Sequence, residues 1–217
     1  MEKTTTKKEQ VQYVKHRIPD TLVYEIMDGK PIYYKGYEKV INTEIDLEGI
    51  MGSSVLQSVI IDLILQILYA KINKKKYKIL VSELGLHLDK KNNLAADIAI
   101  FDRTKLFLNK KIEAKYSEVV PKLIIEIDTK ADLNNFDDVM DYYTQKTNKL
   151  FNFGVEKVFW ILTKNKQIIE AIPNENWFIK DWNKEIELFD NVKFTIDELL
   201  KEDEIYDFVY SEEKDKE

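Results

Sequence analysis

Apolar and polar positions alternate with period two in short runs along this chain, separated by two longer stretches with helical spacing. "LVYEIMDG" (22–29) alternates and then meets Asp28-Gly29, a tight-turn dipeptide, so "KPIYYKGY" (30–37) is its expected hairpin partner. Ser53 or Ser54 is suited to N-cap a helix running through "SSVLQSVIIDLILQILYAKI" to about residue 72. Two strands, "YKILVSE" and "LGLHLD", are expected next, joined near Gly85, then a turn in "KKNN" and a strand over "AADIAIF" (95–101). The charged segment 102–118 reads as a loop with a helical piece, "KLIIEID" as a strand, and 137–153 as a helix stopped by Gly154 at C′. "EKVFWILT" and "KQIIEAI" are further strands, "NWFIKDW" and "EIELF" shorter ones, and "TIDELL" (195–200) a closing helix. Helices interleaved with strands, with an antiparallel rim, define an α/β (α+β) chain with a mixed sheet.

Composition narrows the picture. The 217 residues suffice for one sizeable core, and no Pro/Gly/Ser linker or internal repeat divides them. The expected organisation is a disordered polar lead at 1–13, a single domain at 14–200 and an acidic tail at 201–217. With no cysteine, disulfides and thiolate metal sites are excluded, and a reducing cytoplasm fits. No secretory h-region follows the N-terminus, and Asp62 inside the most apolar stretch argues for a buried helix over a membrane span. A net charge of −6 speaks against coating nucleic acid by bulk electrostatics while leaving room for a local groove; the lysine-rich runs 71–78 and 109–115 read first as solvated surface.

Several residues break the pattern. Alternation puts Ile124, Glu126 and Asp128 on one face of "KLIIEID", and Ala95, Asp97, Ala99 and Phe101 on one face of the earlier strand. A buried carboxylate must be paired, protonated or given a cation. If these strands are neighbours, about 4.8 Å apart, both acids reach one divalent ion, and oxygen-only donors favour Mg²⁺ or Mn²⁺. The plainer alternative is a strand-end acid facing solvent or paired with lysine. Lys146 falls in the stripe of Val139, Tyr143, Leu150 and Phe153, where it either snorkels to water or joins a site. Gln57, among aliphatic neighbours near its helix start, is either a capping-region hydrogen bonder or a site residue. Phosphate-binding glycine loops and the hydrolase elbow are absent, and His16 and His87 lack zinc-pair spacing. Trp160, Trp177 and Trp182 read as packing residues.

These pieces in order, Asp97, then Glu126 in "PKLIIEIDTK", then Lys146 eight residues before Gly154, resemble the Uma-type restriction endonuclease family of the PD-(D/E)XK nuclease superfamily. "YEIMDG" (24–29) and "SSVLQ" (53–57) extend the resemblance over most of residues 18–200. It implies a restriction-endonuclease-like mixed sheet flanked by helices, with Asp97 and Glu126 as metal ligands, the Ile127 carbonyl beside them, and Lys146 as the active-site lysine. Lys130 is the rival lysine, because the superfamily's E-x-K is here Glu126-Ile127-Asp128. Glu25 and Gln57 match accessory positions, and Asp128 is a further candidate ligand. The implied activity is Mg²⁺- or Mn²⁺-dependent hydrolysis of DNA phosphodiesters, with DNA as partner. A homodimer is one way of cutting both strands, although no self-complementary stripe marks one. The competing readings are a catalytically silent module binding nucleic acid or protein, favoured by the acidic balance, and a general phosphoesterase.

Overall fold

The computed structural model describes residues 18–108, 115–189 and 191–214, so the expected lead at 1–13 and most of the basic run 109–115 lie outside the described residues. Asp28 and Gly29, both left-handed (φ 54° and 75°), close the hairpin between β1 (Val23–Met27) and β2 (Lys30–Tyr33). Two short helical turns, α1 (Tyr37–Ile41) and α2 (Glu48–Met51), lead to α3 (Val55–Lys71), whose N-cap Ser54 accepts a hydrogen bond from the Gln57 backbone N–H at 3.1 Å.

The two strands expected around Gly85 are one, β3 (Tyr77–Asp89), paired along its length with β4 (Asn92–Asp102). The irregularity lies at Ser82 and Glu83, a β-bulge that continues the strand instead of ending it. Gly85 serves close packing: a Cβ there would stand 2.4 Å from the Tyr116 ring. After α4 (Arg103–Leu106) come β5 (Leu123–Ile127), α5 (Val139–Phe153) and β6 (Lys157–Leu162). Asp138 caps α5 and left-handed Gly154 (φ 112°) ends it. Then follow β7 (Gln167–Ala171), β8 (Phe178–Asp181), the small pair β9 (Ile186–Glu187) and β10 (Lys193–Phe194), α6 (Ile196–Glu202) and α7 (Tyr206–Lys214).

The main sheet runs β2-β1-β4-β5-β6-β7-β8, with β3 on the other edge of β4. One edge of β4 is thus given to β3, while the other is shared by β1 near its start (Ile26 opposite Asn93) and β5 near its end (Ile98 opposite Ile125). Among the named strands of the described residues, β5 and β6 alone pair in parallel, and α5 is their crossover, so it must lie across the sheet beside β5.

Each sheet face has its own core. On one face Ile98, Ile100, Ile125 and Phe159 pack with Ile60, Ile64 and Leu68 of α3 and with Leu199 and Leu200 of α6. On the other, Ala99, Phe101, Ile124 and Trp160 pack with Tyr142, Tyr143 and Leu150 of α5. Within the segment read as an acidic tail, α6 runs on to Glu202 and Tyr206–Lys214 form α7, whose Tyr206, Val209 and Tyr210 pack against the first core. No helix among the described residues is long and apolar enough to cross a membrane.

Candidate functional site

β4 and β5 are antiparallel neighbours, as the two odd acids require, and extending the register by one residue sets Asp97 opposite Glu126. Residues opposite one another share a face, and this is the α5 face. Both acids are buried, at 8% and 2% exposure. Asp97 Oδ2 accepts from the Ile127 backbone N–H at 2.8 Å, so the carboxylate extends the β4–β5 ladder where it ends. Gln57 reaches the same point from the first turn of α3. Its Nε2 donates to the Ile127 carbonyl at 2.8 Å and, more distantly, to Asp97 Oδ2 at 3.5 Å.

Lys146 does not snorkel: it is fully buried, its Nζ 2.7 Å from Glu25 Oε1 and 3.0 Å from Glu126 Oε1. The buried face of α5 runs through Tyr142, Tyr143, Lys146, Thr147 and Leu150, so Val139, expected in that stripe, is exposed. The helix is turned this way by its anchors. Trp160 Nε1 donates to Thr147 Oγ1 at 2.9 Å, and the Tyr142 hydroxyl donates to Glu25 Oε2 at 2.9 Å. Glu25 is fixed from a third side, because its Oε1 accepts from the Ala95 N–H at 2.9 Å where β1 leaves the edge of β4. The ammonium also lies 5.4 Å from the Trp160 ring centroid and 5.9 Å from those of Tyr24 and Tyr142.

The electrostatics of this cluster are unbalanced, with three buried carboxylates facing one buried ammonium. Burial pushes the Glu126 carboxyl up to about 8 in spite of Lys146, with Asp97 and Glu25 adding to the rise. Burial also raises Asp97, against the opposing pull of the Ile127 N–H, Lys146 and Lys130. Burial alone would lower Lys146, but Glu126 and Glu25 outweigh it and hold the ammonium well above its usual range. Glu126 Oε1 and Lys146 Nζ nevertheless complete no hydrogen bond of good geometry, and they face each other as a bare ion pair.

Two expected members stand apart. Asp128 does not share the Glu126 face: its backbone turns left-handed (φ 55°), and its carboxylate accepts from Thr163 N at 2.8 Å and Thr163 Oγ1 at 2.5 Å, tying β5 to the end of β6. Strand alternation stops applying once φ changes sign. Lys130 pairs with Glu83 and donates to the Met51 carbonyl at 2.9 Å, whereas the lysine paired with Glu126 is Lys146. Tyr142 was not foreseen, although a tyrosine four residues before the buried lysine on one helix face is a readable signal. Among the described residues no group of three or more His, Cys, Asp or Glu is arranged to hold a metal ion. Any cation here would rest on Asp97 and Glu126, with the Ile127 carbonyl beside them. That set suits Mg²⁺, which is commonly held by one or two carboxylates and retains several waters.

No protein-family model and no curated protein matches the chain. Among solved structures, a crystal structure described as a "putative nuclease belonging to DUF820" from Anabaena variabilis ATCC 29413 superposes with a TM-score of 0.61, covering 82% of this chain and 89% of that chain at 14% identity. The two share the mixed sheet flanked by helices.

Proposed function

We propose that the chain is a metal-dependent nuclease of the PD-(D/E)XK type, hydrolysing DNA phosphodiester bonds with Mg²⁺ or Mn²⁺ held by Asp97, Glu126 and the Ile127 carbonyl. The observation that carries this reading is the convergence of Asp97 and Glu126 on one face beside Lys146, with more buried carboxylate than one ammonium neutralises. A buried Glu126 oxygen that faces Lys146 without completing a hydrogen bond, and an all-oxygen donor set, fit a hard divalent cation. The structure described as a "putative nuclease" that shares this fold supports the same class. Bound there, such an ion acts as a Lewis acid towards phosphate and lowers the pKa of a water.

The chain's own residues have separable tasks. Lys146 stays protonated at neutral pH, so its task is electrostatic: it offsets negative charge as it develops on the phosphate and does not abstract a proton. Glu25, fixed by Tyr142 and Ala95, holds the ammonium in place. Gln57 fixes the Ile127 carbonyl and steadies Asp97.

One observation favours the silent-module alternative: Lys146 is fully buried, and Glu126 nearly so. The two readings separate on one set of measurements. A nuclease cleaves plasmid DNA in magnesium, loses that activity by at least about a hundredfold in Glu126→Ala, and binds Mn²⁺ in calorimetry only while Asp97 is intact. Full activity of Glu126→Ala, or no manganese binding at all, would end the proposal.

A further inference from the structure

Lys146 is sealed between carboxylates and cannot touch an arriving phosphodiester. Lys130 is placed differently. Its side chain is 13% exposed, and it is held by Glu83, 28% exposed, and by the Met51 carbonyl at 2.9 Å. The pair stands near Asp97, opposite which Glu83 falls in the β3–β4 ladder: Lys130 draws the Asp97 carboxyl down while Glu83 pushes it up. Tyr34 borders the same spot, its hydroxyl pushed to about 12 by burial and by the Glu83 carboxylate.

How Glu83 arrives there is informative. In the β3–β4 ladder Val81 faces Ile98 and Leu84 faces Ala96, so Ser82 and Glu83 together oppose the single residue Asp97. Both bulge residues are left-handed, at φ 74° and 51°, a conformation uncommon for residues with a side chain. Bulges re-aim side chains, and this one sits opposite the acid of the site and delivers a carboxylate onto Lys130. An ammonium has three donors; with Glu83 and Met51 taking two, the third is left for a phosphate oxygen.

We propose that Glu83 is a positioning residue that holds Lys130 at the mouth of the Asp97–Glu126 pair as the cation contacting a phosphodiester group of the substrate. This rests on the phosphodiester reading above and adds to it a division between two lysines, one buried for charge balance and one at the rim for substrate.

The test is equilibrium binding of a short phosphorothioate DNA duplex across a salt series, with melting curves to confirm that each variant folds. Lys130→Met is expected to weaken binding about tenfold and to reduce the salt slope by about one, while Lys130→Arg keeps both. Glu83→Gln is expected to weaken binding about three- to tenfold, and Glu83→Gln/Lys130→Met to be no weaker than Lys130→Met alone. Should Glu83→Gln fail to fold, Glu83→Asp carries the same cycle. Unchanged binding in Lys130→Met, or additive losses in the double variant, overturns this inference and leaves the phosphodiester reading standing. A wild-type chain that neither binds the duplex nor cleaves DNA in magnesium overturns both.

Discussion

Lys146 is the residue on which the interior of the site balances. A charge with 0% exposure is tolerable only because Glu25 and Glu126 face it, and they in turn depend on it. Lys146→Met, similar in volume and uncharged, leaves two carboxylates buried without a cation. The expected loss is about 3–5 kcal/mol in urea denaturation with EDTA present, and adding Glu126→Gln should recover part of it. No loss in the single variant would mean that the acids are already protonated without the lysine. Asp97 and Glu126 were legible in the sequence because alternation placed each within an apolar strand face, and Lys146 because helical spacing put it among core residues. Asp128 was misplaced by the same rule, since a change in the sign of φ leaves no trace in the polarity pattern. Glu25 was marked by resemblance alone, for one acid in an edge hairpin is ordinary.

At the scale of elements, the far side of the sheet is tied by a cross-strand triad. Glu170 on β7 pairs with Lys157 on β6 at 3.0 Å and with Lys180 on β8 at 2.7 Å. Both lysines are diagonal neighbours in the ladder, the positions from which long side chains meet. Burial raises the Glu170 carboxyl, but hydrogen bonds from Lys180 and Lys157 outweigh it and leave the group below its usual 4.5. A lowered carboxyl stabilises the fold above its unfolded value and ceases to do so as pH falls through the folded one. Glu170→Gln should therefore cost about 1–3 kcal/mol at pH 7, and this gap should close as the solution is acidified below 4.5. Urea melts of both proteins across that range read it directly, and a gap independent of pH would assign the loss to packing. Elements were legible where period and caps agreed, as for α3 with Ser54 and α5 with Gly154. They were misread where a local device overrode the period. The bulge at Ser82-Glu83 joined what looked like two strands, and the acidic run after 201 hid the Tyr206–Val209–Tyr210 face of α7.

For the whole molecule the question is where the excess negative charge of the core goes. Three buried carboxylates meet one ammonium in a chain whose net charge is already −6, so no general positive field compensates them. Burial pushes the Glu126 carboxyl up to about 8, so negative charge is costly to hold at this position. Under the proposed reading a divalent cation would take that place, and because an assembled pair of acids from β4 and β5 exists only in the folded chain, its binding would stabilise the fold. With free Mn²⁺ a hundred times above its Kd, the gain is about 2.7 kcal/mol, or roughly 5–10 °C in Tm for a domain of this size. Thermal melts at pH 8 with and without manganese should show the shift in the wild-type chain and none in Asp97→Asn or Glu126→Gln. An equal shift in all three would place the ion elsewhere, and no shift in any would leave protonation of Glu126 as the way this fold settles its charge.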